Sequence, residues 1–348
     1  MIRTDGASAV IAAEHERTRK TAARSQNANI EAAIAARIPP KRERQIINLK
    51  NGAKTASKFF ENRARYVIIV SEAVMNKEKL EFLNGKADDI RKLIIEMIGR
   101  LGVGHVGGSL SIVELLTVLY YDKARVNPSD PKDPDRDRIV LSKGHAGPAL
   151  YSVLADKGYF PLEKIKTLNL PGTELPSHCD MNKTVGVDMT AGSLGQGLSC
   201  AVGMALAAKI DKKDYRVYAV IGDGESQEGQ IWEAMMYAGN MKLDNLTIFL
   251  DNNKMQIDDY TDAINSIEPF DKKCEAFNLR SERVNGHDIA AISAAIDRAH
   301  KAKGVCTCIV LDTVKGHGVP FAESKGVGSH SFSISEAEWR EFCNKEAD

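Results

Sequence analysis

Apolar residues at positions 90, 93, 94, 97, 98 and 101 of the stretch "MNKEKLEFLNGKADDIRKLIIEMIGRLG" fall three and four apart. That spacing puts them on one stripe of a helix and predicts that the segment packs half-buried. Downstream the period changes. Short β-rich runs, "RIVLS" (138–142), "YRVYAVIGDG" (215–224), "NLTIFLDNN" (245–253) and "CTCIVLDTV" (306–314), alternate with the helical stretches "GPALYSVLADKG", "LGQGLSCAVGMALAAKI", "QIWEAMMYAGNM" and "DIAAISAAIDRAHKA". Strand and helix in series imply an α/β fold, a parallel β-sheet with helices on both faces. Ligands of such sheets bind beyond the carboxyl ends of the strands, so the residues that follow each apolar run are where chemistry is expected. No internal repeat of solenoid period is present.

Upstream of Met75 this patterning fails. Residues 1–74 are rich in Ala, Arg and Lys, poor in large apolar residues, and broken by "IPPKRER" at 38–44. They predict an N-terminal extension with at most short solvated helices, followed by one domain over 75–348. The abrupt change makes Met75 a candidate start, with residues 1–74 either a genuine extension or residues added by an erroneous start site. The chain as a whole balances 47 Lys and Arg against 47 Asp and Glu, yet residues 1–65 hold 14 of the former and 6 of the latter. A basic arm of this kind suits nucleic acid or an acidic partner, but its aromatics are confined to Phe59 and Phe60, so base stacking is unsupported and a solvated tail is expected.

Composition narrows the class further. With 43% hydrophobic and 27% charged residues the chain reads as soluble and globular. Its apolar runs, such as "YVIIV" and "VYAVI", fall well short of the roughly 18 residues of a membrane span. Asp5, Glu14 and Glu16 argue against an acid-poor transit peptide, and no secretory core is present, so a cytoplasmic location is expected. Six cysteines occur without a CxxC pair, and Cys306 and Cys308 fit one core face of a strand. They read as reduced thiols.

The candidate chemistry begins at "GDG" (222–224) and "NN" (252, 253). One strand, one crossover helix and the next strand use about 30 residues, so Asp223 and Asn253 are expected at neighbouring strand ends. A carboxylate, an amide oxygen and the backbone carbonyl of Met255 are hard-oxygen ligands suited to Mg²⁺, with Ca²⁺ or Mn²⁺ as alternatives. Gly222 and Gly224 let the backbone approach a diphosphate, and the helix beginning near Gln230 offers its N-terminus. A GDG alone is equally the sequence of a tight turn; it is the second motif at crossover distance that points to a metal and a diphosphate.

His105, His145, His178, His317 and His330 lie beside glycine or in polar loops. Several such residues after strands suggest a cleft where imidazoles bind oxygens or move protons. No HExxH occurs and the histidines are too widely separated for a helix-borne zinc pair. "AGSLGQGLS" (191–199) places three glycines at a helix entry, which suits close packing or backbone contacts to a flat polar ring. A nicotinamide site is not supported, because no GxGxxG follows a strand.

Together, "GHVGGSLS", "LSKGHAGPALYSVLA", "AGSLGQGLSCAVGMALA", "GDGESQEGQIWEAMM" and "LDNNKMQID" resemble the thiamine-diphosphate-binding domain of transketolases over about residues 77–332. The resemblance implies that Asp223, Asn253 and the Met255 carbonyl hold the metal. It implies that His145, Gly222, Gly224, Glu225 and Asn253 contact the cofactor, with Gly192, Ser193 and Leu194 along its aminopyrimidine. His105, His178 and His330 would bind the donor sugar and assist proton transfers, and Glu228 would couple paired active sites at a subunit interface. The implied reaction moves a two-carbon ketol unit from a ketose phosphate to an aldose phosphate. Two departures stand out: "Ser-His-Ser" surrounds His330 where the family favours Trp-His-Gly, and "GHVGGS" resembles short bacterial transketolase chains. Full-length members carry the glutamate that protonates the aminopyrimidine in a second domain, which is not found before Asp348. The expectation is therefore an N-terminal subunit, inactive without a C-terminal transketolase subunit that supplies the pyrimidine-binding domain, in a heterotetramer. The alternatives are a 1-deoxyxylulose-5-phosphate synthase-like or 2-oxo acid dehydrogenase alpha-like half, or a non-catalytic binding protein that kept the fold.

Overall fold

In the computed structural model, which describes residues 75–344, the chain enters its first helix through Asn76. The Asn76 side chain accepts the Glu78 N–H at 3.0 Å, satisfying one of the unpaired donors of the first turn. Helix α1 runs Lys77–Leu101 and stops at Gly102, whose φ of 90° continues no right-handed helix. Its stripe of Ile90, Ile94, Met97 and Ile98 is buried as the periodicity predicts. The expectations for residues 1–74 lie outside the described residues, as do the last four positions of the 75–348 domain.

The elements that follow are β1 (Val103–Gly104), α2 (Gly107–Leu110), α3 (Val113–Val118), β2 (Arg138–Leu141), α4 (Gly147–Lys157), α5 (Gln196–Ile210), β3 (Val217–Gly222), α6 (Gly229–Asn240) and β4 (Leu246–Asn252). Then come α7 (Thr261–Ile264), α8 (Phe270–Ala276), β5 (Arg280–Asn285), α9 (Ile289–Lys301), β6 (Thr307–Asp312), α10 (Pro320–Glu323), β7 (Phe332–Ser333) and α11 (Glu336–Cys343). Five strands form one sheet in the order β2-β3-β4-β6-β5, all parallel. The short β1 and β7 pair antiparallel in a separate ribbon.

Alternation along the strands builds two cores. Tyr218, Val220, Phe249, Ile309 and Leu311 face one side, packed with residues of α1, α3, α4, α9 and α11. Val217, Ala219, Ile221, Ile248, Leu250 and Val310 face the other, against α5, α6 and α8. The sheet is therefore helix-covered on both faces, as its uninterrupted apolar strands require. Cys306 and Cys308 are buried in the second core, and all six cysteines are free thiols. Strand β5, "RSERVN", is absent from the sequence expectation because it has no apolar run. As the edge strand it pairs only with β6, and most of its side chains stay partly solvated. No helix among the described residues is long and apolar enough to cross a membrane.

One contact sets how closely α6 approaches the turn between α8 and β5. A Cβ added at Gly239 would lie 1.9 Å from the Phe277 carbonyl oxygen and 3.0 Å from Leu279 Cδ1. Gly239→Ala is expected to lower stability by about 3 kcal/mol, the upper range for overpacking a dense interior. Urea denaturation of the two proteins checks this, and an unchanged midpoint would contradict the close packing.

Candidate active site

The carboxyl ends of β2, β3, β4 and β6 lead into a cavity of about 310 Å³. Of the five histidines singled out in the sequence, His105, His145, His178 and His330 line it. The His105 ring centroid lies 5.7 Å from that of His145, 5.4 Å from His178 and 5.3 Å from His330, and His145 lies 5.1 Å from His330. They come from the turn before α2, the short helical turn after β2, the loop before α5 and the segment before β7. Positions more than 200 residues apart in the chain thus meet at one point.

Burial and mutual repulsion keep these rings neutral. Burial, then the charge of Lys315, pushes His330 down to about 3. Burial and Lys143 hold His145 well below the ordinary range; burial lowers His178, and burial with His178 lowers His105. Neutral imidazoles can each donate one hydrogen bond and accept another, which suits a polyhydroxylated ligand. The unfolded chain takes up protons near pH 6.5 while the folded cavity resists them. These histidines therefore favour folding above that pH, and the contribution fades as pH falls below it. In an NMR titration His330 is expected to stay neutral at pH 5; a midpoint near 6.5 would contradict the enclosure described.

The cavity lining also carries acidic and amide groups. Asp223 ends the β3 turn and is 1% exposed. Its Oδ1 accepts the Gly224 N–H at 2.7 Å, and its Oδ2 accepts the Lys254 N–H, so the β3 and β4 loops are tied together through one carboxylate. Burial, reinforced by the charge of Asp251, pushes the Asp223 carboxyl up to about 7. A buried acid raised in this way is one whose charge lacks compensation. Asn253 and Met255 line the same cavity, and Asn253 Oδ1 accepts the Met255 N–H at 3.1 Å. Hard oxygens around an undercompensated carboxylate fit a small divalent cation.

The other predicted residues divide into groups. Gly192, Leu194, Gly222, Gly224 and Glu228 line the cavity. Ser193 is exposed and is not among the lining residues. Glu228 is exposed at the N-cap of α6. Glu225 also borders the cavity, but its buried carboxylate accepts from Ser142 Oγ at 2.5 Å, Gly195 N at 2.9 Å and Gly222 N at 3.0 Å. It therefore braces three loops. A Cβ at Gly222 would meet nothing closer than 3.8 Å, whereas one at Gly224 would sit 2.8 Å from Gln256 Cβ. At Gly224 the protein's own packing already demands glycine.

His317 departs from the sequence expectation. It does not line the cavity but stacks on His287, with centroids 3.5 Å apart. His287 accepts the Val314 N–H at Nε2 (2.8 Å), so its proton resides on Nδ1, 3.2 Å from Glu114 Oε2. Glu114 in turn pairs with Arg91, whose Nε donates to the His317 carbonyl at 3.2 Å. Glu114, His287 and His317 bring ligand atoms within 4.8 Å of one another. Both His287 nitrogens are nevertheless engaged, so this cluster acts as a clamp on the loop 313–318. That loop delivers Lys315, a residue sequence reasoning missed, into the cavity.

Lys315 Nζ donates to the Gln256 carbonyl at 3.1 Å, and burial with the charge of Lys143 lowers its ammonium to about 8. It is a cation at neutral pH in a cavity that the four neutral rings also line. Lys143, 1% exposed in the wall, pairs with Asp251. The signal for both lysines was present in "SKGH" and "KGHG", where a lysine stands two residues before the histidine that drew attention. An ammonium and a divalent-cation donor set together fit a diphosphate.

The profile described as "Transketolase, thiamine diphosphate binding domain" matches residues 83–345. The 6-deoxy-6-sulfo-D-fructose transketolase subunit SqwG of Clostridium sp. (strain MSTE9) is 53% identical over 266 residues, 76% of this chain and 96% of that protein. An apulose-4-phosphate transketolase subunit of Phocaeicola vulgatus is 38% identical over 261 residues, 74% of this chain and 92% of that protein. Among solved structures, transketolase from Campylobacter jejuni superposes with a TM-score of 0.70 at 30% identity, covering 78% of this chain and 44% of that one. The chain thus spans nearly all of the relatives named as subunits and less than half of that transketolase.

Proposed function

Because the chain belongs to the transketolase family through its thiamine diphosphate binding domain, we propose that it is the N-terminal subunit of a two-chain transketolase that transfers a two-carbon ketol unit. The observation that carries this reading is the meeting of four neutral histidines with Asp223, Asn253 and Met255 in one cavity. Asp223, Asn253 and the Met255 carbonyl would hold Mg²⁺, with Ca²⁺ or Mn²⁺ as substitutes. Lys315, His145 and the Gly222–Gly224 turn would hold the diphosphate, and Gly192 with Leu194 would border the aminopyrimidine. Bound there, thiamine diphosphate supplies the carbon nucleophile that cleaves a ketose next to its carbonyl.

The residues of this chain orient and shuttle. His105, His178 and His330 are placed to hydrogen-bond sugar hydroxyls and to hand protons to or from the oxygens that change charge. Their neutrality is what lets one ring both accept and donate. Asp223, once compensated by a cation, would stay ionised at neutral pH.

A partner chain is supported by an apolar outer surface. Helix α5 is apolar around its circumference, with Gly203 and Ile210 exposed, and the neighbouring α6 exposes Met236 and Tyr237. Glu228 begins α6 at the edge of the same surface and the cavity, where association would enclose it. We place the assembly, a heterotetramer with a C-terminal transketolase subunit, in the cytoplasm.

Sugar phosphates are the substrates we propose. A second reading, 6-deoxy-6-sulfo-D-fructose as donor, is favoured by the 53% identity to the subunit named for that sugar. Ketol transfer from xylulose 5-phosphate and from the sulfo-sugar to an aldose phosphate, measured with the partner chain present, separates the two. Absence of transfer from either ketose would count against the function itself.

A further inference from the structure

The side-chain amide of Asn253 can turn either its oxygen or its nitrogen toward the cavity, and only the oxygen suits a cation. Asp251 lies two residues earlier, at the end of β4, on the same face of the chain. Its carboxylate is fully buried and does not line the cavity. Oδ2 accepts from Asn253 Nδ2 at 3.0 Å and from Ser111 Oγ at 2.7 Å, and it also pairs with Lys143 Nζ; Oδ1 accepts from Thr313 Oγ1. The Asp251 carbonyl meanwhile accepts the Asp223 N–H at 3.2 Å. One residue thus links the turn before α3, the end of β2, the β3 and β4 loops and the end of β6.

We propose that Asp251 is a positioning residue of the site. By taking the Asn253 amide nitrogen it commits that side chain to present Oδ1 on the cavity side, and by pairing with Lys143 it keeps the ammonium against the wall. A flipped amide would set its nitrogen against the Met255 N–H and its oxygen against the Asp251 carboxylate, opposing like groups at both ends. The role toward the metal rests on the thiamine-diphosphate reading above; the hydrogen bond itself does not.

The test uses the full chain with thiamine diphosphate and Mn²⁺, following loss of the free Mn²⁺ EPR signal. Asp251→Ala is expected to weaken Mn²⁺ binding 10- to 100-fold, the usual effect of removing a group that orients a metal ligand. Asn253→Asp should then change sign with background. In the wild type it places a second carboxylate against Asp251 and weakens binding. In Asp251→Ala it restores affinity to within about threefold, because a carboxylate offers oxygen at either end. A purely structural Asp251 predicts no such rescue, and that result, or undiminished binding in Asp251→Ala, overturns the proposal. Should Asp251→Ala fail to fold, the wild-type chain still decides. The Asn253 side-chain NH₂, assigned by its loss in Asn253→Asp, should exchange slowly with solvent by NMR, and fast exchange overturns the proposal. A wild type that binds no Mn²⁺ while this NH₂ stays protected defeats the cofactor reading and leaves the positioning of the amide standing.

Discussion

Replacing Asp223 with alanine is expected to abolish metal-dependent retention of thiamine diphosphate, a loss of more than about 100-fold or roughly 2.7 kcal/mol. The carboxylate is the one acidic side chain in the proposed donor set, and its oxygens also fasten the Gly224 and Lys254 amides. Alanine removes both the ligand and the tie between the β3 and β4 loops. Asp223→Asn removes the charge and keeps the shape and one accepting oxygen, although its Nδ2 then faces the other of the two amide N–H donors. Without ligand, removing the buried charge beside Asp251 offsets part of that mismatch, so this variant should be more stable than Asp223→Ala. With ligand, it should gain less protection than the wild type. Calorimetric titration with the cofactor and Mg²⁺, and thermal unfolding with and without them, read the two outcomes. Full retention in Asp223→Ala would overturn the assignment of the site.

The second large effect concerns the partner. This chain alone is expected to show no ketol transfer, and addition of the C-terminal subunit should raise the rate by at least about 1,000-fold. The reason is chemical. The described cavity offers neutral imidazoles, two lysines and a metal-type donor set, but its free carboxylates are Asp223, assigned to the metal, and the exposed Glu228. The family resemblance implies a glutamate that protonates the aminopyrimidine, and the two-chain proposal takes it from the partner; removing one properly placed proton-transfer group costs typically 100- to 10,000-fold. Assays of the chain alone, of the partner alone and of the mixture decide the matter. Turnover by the isolated chain at the rate of the mixture would refute the two-chain reading.

Much of the fold was legible because it is written in local periods. The 3-and-4 spacing in "IRKLIIEMIGRL" marks α1, and the apolar runs ending in "GDG" and "DNN" mark β3 and β4. Covalent distance alone brings Asp223 and Asn253 to adjacent strand ends, since one crossover helix separates neighbouring parallel strands. Strand β5 escaped for the converse reason. An edge strand with charged, half-solvated side chains carries no alternation strong enough to read.

The histidines show where local information stops. Lys-Gly-His precedes both His145, which lines the cavity, and His317, which stacks on His287, so the immediate neighbours do not tell the cavity rings from the rest. The same holds for Lys315 and Asp251. The amino-acid sequence by itself determined the α/β alternation, the family and the paired loop tips, because periodicity and chain spacing act over a few tens of residues. Only the tertiary structure decided which rings face one another, that Glu225 braces loops, and that Asp251 holds the Asn253 amide. Those pairings depend on the order β2-β3-β4-β6-β5, which brings Lys143, Asp251 and Thr313 within hydrogen-bond reach across separations that no local pattern spans.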